Sequence, residues 1–286
     1  MSNARFGPAG NSGSFYEQGY KSSLDAPAYL KKFGLNALEY QCGRGVNIGL
    51  EKAAVLGERC KAADIQLSVH APYYISLASL EESKRVNSID YILQSARAVN
   101  AMGGTRIVVH PGGLSRQPRE LATAIAFDTL RQAIKKLDEE NLSHIRLCIE
   151  TMGKVNQLGN LDEVIELCSL DERFIVCVDF GHMNARSRGG LKTTADYEAI
   201  FTKIADKLGA DRLKEFHAHF SKIEYTDAGE KRHLTFDDSV YGPDFEPVMD
   251  MCVKYDCSPV IICESDGTQA EDAKTMYDYY KSKGGI

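Results

Sequence analysis

Short apolar runs alternate with longer segments of helical periodicity along the chain. The apolar runs are rich in β-branched residues, which predicts strands. They span residues 4–9, 36–41, 65–70, 106–110, 145–150, 174–179, 213–219 and 259–264. Between them, apolar positions recur every three or four residues, which predicts helices at 24–33, 47–63, 80–101, 117–140, 161–168, 193–208, 244–255 and 269–282. Asp25, Asn47, Asp162 and Thr194 are suited to helix starts.

Several of the strand runs, such as Ile107-Val108-Val109, are continuously apolar and do not alternate. Strands of this kind are covered on both faces, as in a parallel sheet. Eight strand–helix units in 286 residues match the α/β fold class and the size of a (β/α)8 TIM barrel. An open doubly wound sheet is the competing architecture, but no GxGxxG motif follows the first strand. No Pro-, Ser- or charge-rich linker divides the chain, so we expect residues 1–286 to form a single TIM-barrel domain.

Composition excludes several classes of protein. Hydrophobic residues make up 43% and charged residues 26%, as in ordinary globular proteins. The sequence has no apolar run of about 20 residues and no signal-peptide core in residues 1–11, so we expect a cytoplasmic protein without a membrane partner. The eight cysteines form no CxxC motif and are expected to be small buried hydrophobes. The net charge of -6 argues against a general nucleic-acid coat, although metal ions could supply positive charge.

The predicted strands end on side chains that can bind metal. Five of the eight runs end on a histidine or a carboxylate: His70, His110, Glu150, Asp179 and Glu264. A sixth run carries both His217 and His219 near its end. The carboxyl ends of barrel strands converge on one mouth, where barrel enzymes keep their active sites. One such residue would be interpreted as a capping group, but six coincidences favour a metal site.

The ligand types indicate which ions the site would hold. Nitrogen and carboxylate ligands without thiolate, in a number larger than one tetrahedral ion requires, favour two or more Zn2+ or Mn2+ ions. Two-metal sites clamp the attacking and leaving oxygens in phosphoryl displacement. Glu150, on a central strand between His110 and Asp179, is the expected bridge.

The ordered motifs resemble endonuclease IV, the metal-dependent apurinic/apyrimidinic endonucleases of the xylose-isomerase-like TIM barrel superfamily. The resemblance runs nearly end to end. Its motifs are His70-Ala71-Pro72-Tyr73, Val109-His110-Pro111-Gly112, Glu150-Thr151, Asp179-Phe180-Gly181-His182, His217 with Ser221-Lys222, Arg232-His233 and Glu264-Ser265.

The resemblance implies two or three Zn2+ ions, with Mn2+ as the alternative metal. The first ion would be held by His70, His110 and Glu150. The second would be held by Glu150, Asp179, His217 and Glu264. The third would be held by His182, His233 and an aspartate. Through these ions Glu150, Asp179 and Glu264 would be the catalytic residues.

The sequence departs from the family pattern at two places. The Asp-x-His motif for the third ion reads Lys231-Arg232-His233, and a protonated lysine has no lone pair to offer. Glu230 precedes it by one residue and could substitute through a shifted loop. His219 and Phe220 replace an asparagine–aspartate pair, and His219 faces the same side of a strand as His217. We expect His219 to be an added ligand, a neighbour of the ligands, or part of the substrate-binding mouth.

The activity implied by the resemblance is incision of double-stranded DNA on the 5′ side of abasic sites, in base excision repair. A hydroxide held between two ions would attack the phosphodiester. The protein is expected to act as a monomer. Tyr73 and Arg44 are the candidates for contact with DNA, and the polar segment 222–238 is expected to be a long loop.

Two other functions compete with this interpretation. Sugar isomerases and epimerases of the xylose-isomerase-like class resemble this chain in using one divalent ion on residues matching Glu150, Asp179, His217 and Glu264. They have less use for His70, His110 and His182, which favours the nuclease. A protein that binds metal or damaged DNA without cutting it is the third alternative.

Overall fold

The structure is a computed structural model that describes residues 3–285. Its strands are β1 Arg5–Pro8, β2 Ala37–Gln41, β3 Gln66–His70, β4 Arg106–Val109, β5 Arg146–Glu150, β6 Phe174–Asp179, β7 His217–Phe220, β8 Lys222–Thr226, β9 Gly229–Leu234 and β10 Val260–Cys263. Its helices are α1 Gly13–Glu17, α2 Ala26–Phe33, α3 Leu50–Ala62, α4 Glu82–Ala101, α5 Arg119–Glu139, α6 Leu161–Cys168, α7 Phe180–Arg186, α8 Thr194–Leu208, α9 Ala210–Lys214, α10 Glu246–Lys254 and α11 Gln269–Ser282. A 3₁₀ turn spans Ser23–Asp25.

Eight of the strands form one parallel sheet in the order β1-β10-β7-β6-β5-β4-β3-β2. The two edge strands of this order also meet each other. Asn36 N donates to Phe6 O at 3.1 Å, and Gly10 N donates to Glu39 O at 2.9 Å. These bonds bring β1 against β2, and the predicted (β/α)8 TIM barrel is confirmed.

Gly7 allows the close contact between β1 and β2. A Cβ atom at this position would lie 1.8 Å from Ala37 O. Because only glycine lacks that atom, the two backbones can approach closely here.

Helix starts follow capping chemistry. At α6 the Asn160 side chain accepts a hydrogen bond from Glu163 N at 2.9 Å, and Glu163 Oε2 accepts one from Asn160 N at 2.9 Å. The expected start residues Asp162 and Thr194 lie in the first turns, whereas Asn160 and Thr193 are the caps. Asp25 does precede α2, but α3 is capped by Gly49 rather than by Asn47.

The structure corrects the sequence prediction between residues 210 and 234. The predicted strand 213–219 begins only at His217, because residues 210–214 form α9. Segment 222–238 is not a long loop, since most of it forms the antiparallel hairpin of β8 and β9. Ile223 is fully buried on one face of this hairpin and lies close to Gly181 in α7, whereas the other face is polar. The hairpin therefore packs on the molecule through one face only.

The eight cysteines are buried and free, as expected from the sequence. Among the helices of residues 3–285, none is long and apolar enough to cross a bilayer.

Candidate metal centre at the mouth of the barrel

Glu150, the last residue of β5, lies at the centre of the mouth and is fully buried. Its Oε2 atom is 3.2 Å from His70 Nε2 and 3.0 Å from His110 Nε2. Its Oε1 atom is 3.2 Å from His182 Nδ1 and 3.4 Å from His219 Nδ1. One carboxylate therefore faces imidazoles from four segments of the chain.

Hydrogen bonds fix the ring orientation of three histidines at the mouth. His70 Nδ1 is 2.8 Å from Ala71 O, and His182 Nδ1 is 3.0 Å from Thr151 O. Because a carbonyl oxygen only accepts, each Nδ1 carries a proton, and in the neutral ring Nε2 holds the lone pair that can bind a metal. His233 Nδ1 bonds to Ser221 Oγ at 2.8 Å, which fixes the orientation of this ring as well. Partners of this kind orient metal-binding histidines in proteins.

A second group joins Glu150 to Asp179, His219 and Glu264. The ligand atoms of these four residues all lie within 4.8 Å of one another. Asp179 caps α7 and accepts a hydrogen bond from His182 N through Oδ1 at 2.7 Å, while its Oδ2 has no hydrogen-bond partner. The capping bond thus holds the carboxylate with one free oxygen directed at the group.

A third group consists of His182, Glu230 and His233, again with ligand atoms within 4.8 Å. Glu230 and His233 are three residues apart on β9, so they would face opposite sides of a regular strand. A β-bulge changes this, because Glu224 pairs with Arg232 whereas Tyr225 pairs with Glu230. Lys231 is the extra residue in this bulge.

The bulge places Glu230 on the inner face of the hairpin. Ile223 and Tyr225 share one face of β8, and their partners are His233 and Glu230. His182 Nε2 is 3.4 Å from Glu230 Oε2. The Lys231 side chain is exposed, and its Nζ pairs with Glu224 Oε1 at 2.5 Å. It therefore does not face His182 and Glu230.

His217 and His219 lie at different depths in the barrel. His219 pairs in register with Asp179 and faces Glu150 and Glu264, whereas His217 lies two residues deeper, beside Cys177. His217 Nε2 donates to Glu39 Oε2 at 3.1 Å, so it does not join the groups that contain Glu150. The structure thus brings His219, and not His217, within reach of Glu150, Asp179 and Glu264 at the end of this strand.

Glu39 on β2 is the site residue that sequence reasoning missed. Its side chain is fully buried, 3.1 Å from His217 Nε2 and 3.0 Å from His219 Nε2. It was missed because it lies in the middle of a strand rather than at its end. Burying a carboxylate in the middle of a strand costs free energy. Its position in the strand is therefore the signal by which Glu39 could have been found from the sequence.

The electrostatics of the mouth indicate a need for cations. Burial raises the pKa of Asp179 to about 6, and the charges of Glu264 and Glu150 act in the same direction. Burial alone would lower the pKa of His70, but its hydrogen bond to Glu150 raises that pKa to about 9. In a chain without metal, protons on histidines therefore balance the crowded carboxylates.

The unpaired atoms fit metal ligands. Glu150 Oε1, Asp179 Oδ2 and both ring nitrogens of His219 are buried without a well-aligned hydrogen bond. Buried polar atoms are nearly always satisfied, so the three of these atoms that face the centre, Glu150 Oε1, Asp179 Oδ2 and His219 Nδ1, need a partner there. Imidazole and carboxylate ligands without thiolate fit Zn2+ or Mn2+.

Tyr73 and Arg44 lie at the rim of the mouth. Arg44 Nε donates to the Tyr73 hydroxyl at 3.0 Å, and the rings of Tyr73 and Tyr74 are 4.6 Å apart. Both tyrosines are about half exposed. A cavity of about 360 Å³ lies between this rim and the histidines, with Gln41 and Lys154 among its lining residues.

The family model described as "Xylose isomerase-like TIM barrel" matches residues 27–282. The chain belongs to this family. An uncharacterized protein of Methanocaldococcus jannaschii is 35% identical over 236 residues, which are 82% of this chain and 84% of that protein. A "Probable endonuclease 4" of Mycoplasma pneumoniae is 30% identical over 200 residues, covering 68% of this chain and 66% of the relative. The resemblance to endonuclease IV is thus confirmed, although the chain spans only about half to two thirds of such relatives.

Solved structures share the fold with this xylose isomerase-like chain. Endonuclease IV from Thermus thermophilus superposes with a TM-score of 0.68 at 16% identity, covering 98% of this chain and 99% of the other. An L-ribulose 3-epimerase superposes with a TM-score of 0.70 at 12% identity, covering 98% of this chain and 96% of the other. Since a nuclease and an epimerase fit equally well, the fold does not choose between their activities.

Proposed function

We propose that the protein is a metal-dependent endonuclease that incises double-stranded DNA on the 5′ side of abasic sites. The observation that carries the proposal is the number of imidazoles around Glu150. His70, His110 and His182 face Glu150 in addition to the four residues that a single-ion barrel enzyme would use. Phosphodiester hydrolysis by several ions has a use for these extra ligands, whereas proton transfer beside a carbonyl does not.

The side chains would divide among three ion positions. His70, His110 and Glu150 would form the first, and Glu150, Asp179, His219 and Glu264 the second, with Glu150 shared. The third would use His182, Glu230 and His233, where the bulge at Lys231 supplies a carboxylate in place of the family's aspartate. Bound divalent ions would withdraw charge from the phosphate oxygens and lower the pKa of water.

The charge balance favours a third ion. Five carboxylates lie at the mouth or directly beneath it and bring five negative charges: Glu39, Glu150, Asp179, Glu230 and Glu264. Two divalent ions would leave the mouth with one negative charge when the histidines are neutral. Three ions would leave it with one positive charge, which attracts phosphate.

The rim and the cavity would position the lesion. Arg44 is exposed beside Tyr73, where its charge can contact a phosphate and the ring can stack on a base. The cavity of about 360 Å³, which His70, His110 and Tyr73 help to line, would receive the extruded sugar and phosphate. Extrusion costs least where base pairing is already lost, which favours abasic sites.

The test is incubation of the protein with a duplex that carries one tetrahydrofuran abasic analogue. We expect Zn2+- or Mn2+-dependent incision on the 5′ side of the analogue and none after treatment with a chelator. A matched duplex without the lesion is the control. Absence of incision at every protein and metal concentration would refute the nuclease.

Sugar epimerisation is the second candidate. The group of Glu150, Asp179, His219 and Glu264 resembles the single-ion site expected of the isomerase class, and epimerases are among the structural neighbours. Elemental analysis separates the two candidates, since the nuclease should retain two or three ions per chain and the epimerase one. Conversion of a ketose to its epimer, without incision of DNA, would establish the second candidate.

A further inference from the structure

A buried carboxylate lies directly beneath the metal centre, inside the barrel. Glu39 is on β2, and its side chain is completely shielded from solvent. Neither the strand-end pattern nor the resemblance to endonuclease IV assigns it a role. A carboxylate at this depth requires several compensating partners.

Three hydrogen bonds fix the Glu39 carboxylate. Its Oε2 atom accepts from Ser68 Oγ at 2.8 Å and from His217 Nε2 at 3.1 Å. Its Oε1 atom accepts from Gln41 Nε2 at 3.2 Å. Both oxygens are thus held, and the carboxylate has little freedom to turn.

The fixed Oε1 atom faces His219. It lies 3.0 Å from His219 Nε2, while the opposite ring nitrogen, Nδ1, lies 3.4 Å from Glu150 Oε1 and 3.5 Å from Glu264 Oε2. His219 thus bridges Glu39 below and the acidic metal centre above. The ring is fully buried, and the acceptor that faces Nε2 is Glu39 Oε1, so Glu39 is the group that would hold a proton on Nε2.

We infer that Glu39 is a positioning residue that orients His219 for metal binding. A proton on Nε2, kept there by the carboxylate, leaves the Nδ1 lone pair directed at the centre. The negative charge also makes the ring a stronger donor, as carboxylate–histidine pairs do in zinc proteins. This inference rests on the proposed metal centre but not on the identity of the substrate.

Gln41 connects this network to the mouth. Its side chain lines the cavity and is exposed, yet its amide donates to the Glu39 oxygen that faces His219. Removing that hydrogen bond loosens the carboxylate without disturbing the barrel core. Gln41 therefore offers a way to test Glu39 by a substitution at an exposed position.

The main test measures zinc affinity in a double-mutant cycle of Glu39→Gln and His219→Gln, by competition with a chromophoric chelator and without DNA. Glu39→Gln should lower the affinity for the zinc ion that His219 holds by about 10- to 100-fold. In the His219→Gln background, adding Glu39→Gln should change affinity by less than about twofold, because the residue through which Glu39 acts is gone. Equal weakening in both backgrounds, or none in either, would overturn the inference.

Gln41→Met keeps the test decisive if Glu39→Gln fails to fold. We expect zinc affinity to fall by about threefold, a loss typical of one hydrogen bond. Unchanged affinity in Gln41→Met would count against the role of Glu39. Since zinc binding is measured without DNA, a negative result leaves the incision assay free to judge the proposed function separately.

Discussion

At the scale of single residues, Glu150 links the most distant parts of the mouth. Its two oxygens face His70 and His110 on one side and His182 and His219 on the other. A shared carboxylate of this kind sets the spacing of neighbouring ions in two-metal sites. Loss of its charge should therefore affect more than one ion.

Glu150→Gln should lower the number of bound ions by at least one and reduce activity by more than about a hundredfold. The amide has nearly the same shape as the carboxylate, so the barrel should remain folded. Elemental analysis after dialysis gives the ion count, and circular dichroism checks the fold. A variant that keeps all its ions would show that Glu150 is not the bridge.

The cysteines give a prediction about reactivity. Burial raises the pKa of Cys42, Cys60 and Cys263 to about 12, and all eight thiols are buried. A raised pKa means that the thiolate, the reactive form, is scarce near pH 8.

A disulfide reagent at pH 8 should therefore modify less than about one thiol in the native protein within minutes, and all eight in guanidinium chloride. Absorbance of the released chromophore measures both numbers. Rapid reaction of a native thiol would mean that one cysteine is more accessible than its burial indicates.

At the scale of elements, the hairpin of β8 and β9 carries Glu230 and His233, two of the three residues proposed to hold the third ion. Its bulge at Lys231 compensates for a spacing of three residues between Glu230 and His233. Deleting Lys231 would leave these two residues two positions apart, where a regular strand also places them on one face.

The Lys231 deletion should thus retain the third ion, whereas Glu230→Gln should lose it and keep the others. Elemental analysis of both variants measures the difference, and the exposed substitution Lys231→Ala is the matched control. If the Lys231 deletion loses the third ion while Lys231→Ala keeps it, the bulge must do more than place Glu230 on the same face as His233.

The strands that carry ligands were predictable because their ends coincide with polar residues after apolar runs, as at His70, Glu150 and Asp179. The hairpin was not, since its strands are short and polar on one face and resemble a loop. The facing of His219 also escaped prediction. Two histidines at positions i and i+2 point the same way, and only the strand register decides which one reaches the mouth.

At the scale of the whole molecule, the barrel depends on contact between β1 and β2. Gly7→Ala would place a Cβ atom 1.8 Å from Ala37 O and force these strands apart. We expect the free energy of unfolding to fall by about 3 kcal/mol.

Urea denaturation measures this loss. The control is Gly45→Ala, where a Cβ atom would only touch the Asn47 side chain at 3.9 Å and the change should be within about 0.5 kcal/mol. Equal stability of the two variants would show that β1 can shift without cost.

The ligands at the mouth come from segments spread between His70 and Glu264, so no partly folded stretch of the chain could hold them together. Zinc would bind the native form and not the unfolded one, and at a free concentration one hundred times its dissociation constant each ion would add about 2.7 kcal/mol. Metal supply would then set the lifetime of the folded protein as well as its activity. Protein stripped of the proposed ions should therefore be cleaved faster by a protease than protein loaded with them.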